Sequence, residues 1–138
     1  MSLQGTAELA GVCARLRDEE RARRLYALLA PYDDRFIAAA HGAACNGAVS
    51  HALGLLAWTL GDADLAQERF EDALSLHRRA GARLFIARTQ CELAAVLWKV
   101  GNPVDRERAR RLRSDAVGTY RQLGLEHRAR TESERDPS

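Results

Sequence analysis

The chain has 138 residues, 46% hydrophobic but only 6% aromatic, with 21 basic and 19 acidic side chains and a net charge of +2. That length suits one compact domain. The near-balanced charge excludes a global field demanding a polyanion, and short apolar runs such as Phe36–Ala40 exclude a membrane-spanning helix.

Alanine and leucine supply most of the buried surface, which favours many close-packed helices over a sandwich of β-branched and aromatic strands. Taken in order, Leu9, Val12, Cys13 and Leu16 recur at helical spacing, then Ala22, Leu25, Tyr26 and Leu29. Val49, Leu53, Leu56 and Leu60 follow, then Ala66, Phe70, Ala73, His77 and Ala80. Leu84, Ala87, Cys91, Ala94 and Leu97 form the fifth series, and Ala109, Leu112, Ala116, Tyr120 and Leu123 the sixth. No two-residue alternation persists, so no strand is assigned. The spacing predicts helices over 5–16, 19–30, 47–60, 63–80, 83–100 and 104–123.

Punctuation falls where helix ends need it. Asp18, Asp62 and Asn102 can receive the free amides of the helix that follows, Pro103 suits a first helical position, and Pro31 stops a helix near Ala30. Gly81 and Gly124 sit where a left-handed terminating residue is wanted. Leu16-Arg17-Asp18, Leu60-Gly61-Asp62 and Val100-Gly101-Asn102 read as one tight turn used three times, 44 and then 40 residues apart. Behind the turns, Ala73 answers Ala116, His77 answers Tyr120 and Gly81 answers Gly124, at a constant offset of 43. Residues 31–46 form a long connection, and 125–138 a polar, disordered tail.

Leu60-Gly61, then Ala73 and Ala80 at the following helix crossing, resemble a tetratricopeptide repeat, lengthened beyond that family's 34 residues. A broader resemblance lies in Arg24-Leu25-Tyr26-Ala27-Leu28-Leu29-Ala30-Pro31-Tyr32, in Gly54-Leu55-Leu56-Ala57 through Gly61, and in the Arg-Ala-Gly-Ala-Arg run around Gly81. These look like the far end of the helical-repeat region in actinobacterial LuxR-type transcription activators and cyclase-linked AAA-type regulators. The resemblance implies a domain that binds effectors, partner proteins or its own parent's catalytic module, and no active site.

Trp58 and Trp98 each stand three residues before their turn's glycine and so share one place in successive units. With Leu55 they are candidates for a groove that grips a peptide's apolar side chain or a small effector; the alternative is a pair of wedges between helices. Arg106, Arg110 and Arg113 fall on one helical face, either for phosphate or an acidic partner or as a solvated exterior. His41, Cys45 and His51 are too loosely spaced for a zinc signature. Asp33 and Asp34 are adjacent and suit a loop. Ser50-His51 lacks the elbow of a nucleophile, and Lys99 follows no glycine-rich loop. No catalytic residue, cofactor or metal is expected. Cys13, Cys45 and Cys91 are widely spaced, odd in number and expected to be buried in a reducing compartment.

The expectation is therefore an all-α fold, a right-handed α-α superhelix of about three antiparallel helix pairs (5–30, 47–80 and 83–123) within a domain spanning 1–124. Its expected role is a cytoplasmic protein- or peptide-interaction scaffold in a bacterial transcriptional or signalling regulator. Effector sensing near Trp58 and Trp98, or dimerisation with a second copy, are the alternatives. Nucleic acid and membrane are not expected partners.

Overall fold

The computed structural model describes residues 3–38 and 45–135, and the side chains of 9–35 and 47–135. It is all-helical apart from one short strand pair. In order come α1 (Leu3–Leu16), α2 (Glu19–Leu29), β1 (Phe36–Ala38), β2 (Cys45–Ala48), α3 (Val49–Thr59), α4 (Ala63–Ala80), α5 (Arg83–Val100), α6 (Pro103–Gln122) and α7 (Glu126–Glu134). Pro31 lies in a single 3₁₀ turn, Ala30–Tyr32, that closes α2. The six expected helices are all present, with ends within a residue or two of those the spacing predicts.

The three expected turns are equivalent bends. Gly61 and Gly101 have φ of 80° and 85°, and Arg17 takes the same left-handed conformation at 54°, a region in which a side chain is strained and glycine is not. The next residue caps the following helix each time. Asp18 accepts from the Arg21 amide at 3.1 Å, Asp62 from that of Leu65 at 3.0 Å, and Asn102 from that of Asp105 at 2.8 Å. The other paired turns also match: the Ala82 amide donates to the His77 carbonyl and the Leu125 amide to that of Tyr120, each across a left-handed glycine that satisfies an end carbonyl of the helix.

Helices adjacent in sequence pack on one another from α1 to α7. The buried side chains form three successive clusters. Ala10, Cys13, Leu25, Leu29, Val49, Leu53 and Leu56 join α1, α2 and α3. Ala57, Phe70, Leu74, Leu93, Leu97 and Leu112 join α3 to α6. Ala87, Cys91, Ala116, Tyr120 and Ala129 join α5, α6 and α7.

Two expectations are corrected. The segment around residue 37 is not strand-free: β1 and β2 pair antiparallel, Phe36 opposite Ala48 and Ile37 opposite Gly47. Three residues are too few for alternation to register as a pattern. Residues 125–138 are not simply a disordered tail either, because Glu126–Glu134 is helical. Its apolar signal is confined to Leu125 and the fully buried Ala129. Much of the rest of its anchorage is ionic: Glu132 meets Arg113 of α6 at 3.4 Å, the two side chains only 10% and 16% exposed, and the Arg113 guanidinium donates to the Arg135 carbonyl at 3.1 Å.

Gly54 marks a close approach that no pattern in the sequence signals. A methyl placed there would lie 2.5 Å from the Phe70 ring, whereas one at Gly118 would meet nothing within 4 Å. Phe70 is itself 1% exposed and cannot swing aside cheaply. Gly118→Ala should therefore stabilise by up to about 1 kcal/mol through helix propensity, while Gly54→Ala should be a net loss, overpacking of about 1–3 kcal/mol outweighing the same gain. Opposite signs of ΔTm are the expected reading. Arg113→Ala leaves Glu132 buried without its main partner and should cost about 1–3 kcal/mol. Arg111→Ala removes only an exposed pair with Glu107 and should change denaturant stability by less than about 0.5 kcal/mol.

Candidate functional site

The sequence-predicted residues divide among three places. Trp58 and Trp98 are both half-buried and pack on the middle core cluster, as does Leu55. The Trp98 ring is covered by two guanidiniums, Arg106 at 5.0 Å and Arg110 at 5.2 Å from its centroid, a cation–π arrangement. Arg113, expected on the same outward face, instead turns to α7 and is largely buried there. Twenty residues make α6 nearly six turns long, so its later turns are covered by a helix that its first turns never meet. Asp33 pairs with Arg69 of α4 at 3.0 Å, and the same guanidinium donates to the Tyr26 hydroxyl at 3.0 Å, so the connection is tied down by charge. Ser50 is fully buried. His41 lies outside the described residues, as does the side chain of Cys45. Among the described residues no three His, Cys, Asp or Glu side chains converge as a ligand set.

Trp58 lines a hollow of about 410 Å³ together with Ala14, Arg17, Glu19, Thr59 and Lys99. These positions flank all three equivalent bends. Apolar side chains near the first and third bends stand out into solvent: Leu16 is 69% exposed, Val100 47% and Val104 77%.

A second cavity, about 460 Å³, opens between α3, α5, α6 and α7. His51 and Leu55 come from α3, Arg88, Cys91 and Glu92 from α5, Tyr120 from α6, and His127, Arg128, Thr131 and Glu132 from α7, with Arg135 just beyond. Of the binding residues expected from the sequence, only Leu55 stands on its wall. The others carry no motif, because their shared surface depends on helices far apart in the chain.

Beneath this cavity lies a polar seam. The Ala48 amide donates to His77 Nε2 at 2.9 Å, which fixes a neutral His77 with its proton on Nδ1. The Thr89 hydroxyl stands between the two rings, 3.3 Å from His77 Nδ1 and 2.8 Å from His51 Nδ1. His51 also meets the edge of Phe70, centroids 5.5 Å apart. Burial pulls both imidazoles down, His51 to about 3 with help from the Arg88 charge and His77 to about 4. Burial likewise pushes the Cys91 thiol up to about 12, with the Glu132 carboxylate adding to it, so it is not a ready nucleophile. Tyr120, hydrogen-bonded to Cys91 and Arg128, is raised for the same reason. Burial raises the Glu92 carboxyl, and the nearby Arg135 charge draws it back.

No protein family, no curated protein and no solved structure matches the chain. No described helix is long and apolar enough to cross a membrane.

The histidine seam gives a signed pH dependence. Folded His51 and His77 stay neutral, whereas the unfolded chain takes up protons near the ordinary 6.5. Stability is thus full above that value and falls as pH drops from about 6.5 towards 4, each histidine contributing a slope of about 1.4 kcal/mol per pH unit. Glu92, raised by burial, works in the opposite sense and offsets part of the loss at the acid end. Urea unfolding across this window should show the slope, and His51→Gln should reduce it by about half. A slope unchanged in that variant would contradict the assignment.

Proposed function

We propose that the chain is a cytoplasmic protein- or peptide-interaction scaffold. In this reading it is built as a tetratricopeptide-like right-handed superhelix and serves as the C-terminal sensor or interaction domain of a bacterial transcriptional or signalling regulator. The observation that carries the reading is the convergence of three equivalent bends on one hollow. Arg17, Trp58 with Thr59, and Lys99 come from the three successive units and line it together. A repeat that presents the same bend three times on one side offers a continuous surface there. The exposed Leu16, Val100 and Val104 give that surface apolar contacts.

Charge sets the partner's chemistry. Arg17 and Lys99 outnumber Glu19 in the hollow, and Arg106 and Arg110 lie over the ring of Trp98, the residue before Lys99 in the chain. The complementary segment is acidic with apolar side chains, either in a partner protein or in another part of the same regulator. Trp58 contributes its exposed part, and Trp98 acts as the platform that orders the two arginines.

A photo-crosslinking amino acid at Val104 or Leu16, in the cell of origin, should give an adduct of defined mass. Its partner peptide, read by mass spectrometry, should be acidic and apolar, and Lys99→Glu with Arg17→Glu should remove it. Equal adducts from Arg121 on the exposed outer face of α6, or insensitivity to the charge reversals, would overturn the proposal.

A further inference from the structure

The cavity between α3, α5, α6 and α7 keeps ionisable groups that the fold leaves without a direct ion-pair partner. Glu132 is engaged by Arg113 and Arg135, and Tyr120 by Cys91 and Arg128. Glu92 is different: half-buried on the cavity wall, it makes no hydrogen bond and no close ion pair with any described residue, and the Arg135 and Arg88 charges act on it from a distance. Arg88 is exposed and makes no close ion pair with a carboxylate among them, and its guanidinium rests 5.7 Å from the Phe85 ring centroid. A half-buried carboxylate and an exposed guanidinium one helical turn apart, on the wall of one cavity, suit a ligand carrying both opposite charges.

We propose that this cavity binds a small zwitterion of the amino-acid type, its ammonium group against Glu92 and its carboxylate against Arg88. A ligand with only a positive charge would face Arg88, Arg128 and Arg135 with one carboxylate outside a close ion pair to receive it. A ligand with only a negative charge would bring no cation to Glu92 and would set a like charge beside a half-buried carboxylate. A zwitterion satisfies both. Residues four apart on a helix hold their Cβ atoms about 5–6 Å from each other, a span that the two groups on one α-carbon can bridge when both side chains reach inward. Leu55 supplies an apolar wall for the ligand's side chain. At about 460 Å³ the cavity falls within the range of small-molecule sites and has room for an amino acid of any size or a dipeptide. This site lies apart from the bend-end hollow and does not depend on the docking proposed there.

The test is calorimetry and thermal shift of the full chain with each of the twenty amino acids. For the tightest binder, its N-acetyl and methyl-ester forms follow, each lacking one charge. At least one free amino acid should bind, and each derivative should bind about tenfold more weakly or worse. Glu92→Gln should weaken the free amino acid by about the same factor yet leave the N-acetyl form unaffected, and Arg88→Gln should do likewise for the ester. Both changes are close in shape to the native residue, and circular dichroism confirms the fold of each variant. Absence of binding by all twenty amino acids would overturn the proposal. So would equal affinity of the charged and neutralised forms, or binding indifferent to both variants.

Discussion

A helix that reverses direction within three residues needs two things. One residue must adopt positive φ to turn the chain, and the next must receive the amides that the new helix leaves free. Arg17-Asp18, Gly61-Asp62 and Gly101-Asn102 meet both requirements in the same order. Because each bend is short and alike, α2, α4 and α6 set off from equivalent positions, and each packs its apolar stripe on the helix before it. Arg17 performs the turn without glycine's freedom, so the first unit carries backbone strain that the other two avoid.

From that constraint the two hollows follow on different parts of the molecule. Where the bends meet, the chain presents Trp58, Arg17 and Lys99 beside exposed aliphatic side chains. Along the helices, α3 and α5 cannot close completely against α6 and α7, since the contact includes Arg88, Glu92, Tyr120 and Glu132 rather than aliphatic residues. The His51–Thr89–His77 seam supports the floor of that gap. Two neutral imidazoles sharing a hydroxyl can be buried at modest cost because nearly every polar atom finds a partner. The same arrangement makes the floor sensitive to acid.

The helices are legible in the sequence because their cause is local. Apolar residues at three- and four-residue spacing, an Asx cap and a left-handed glycine lie within one window of sequence, and Asp62 to Ala80 can be read almost without error from them. What escapes has causes that cross the chain. Ala129 is apolar and buried, yet α7 offers no stripe; its ionic hold on Arg113 reaches back over half of α6 and cannot be inferred from periodicity. Gly54 reads as a weak point in a helix until the Phe70 ring is placed against it. At the sites, Leu55 and Trp58 stand out because they lie near the repeated turn, and they belong to separate hollows. Glu92 and Arg88 resemble any pair one turn apart until α3, α6 and α7 form a cavity beside them.

The His51–Thr89–His77 seam gives α3, α4 and α5 a shared register, in which a residue early in α3 reaches α5 across the end of α4. The most direct measurement of that register is a nuclear Overhauser spectrum of the intact chain with labelled threonine methyls and histidine rings. Contacts from the Thr89 methyl to the rings of both His51 and His77 are expected. Thr89 contacts confined to its own helix, with neither ring in reach, would contradict the shared register.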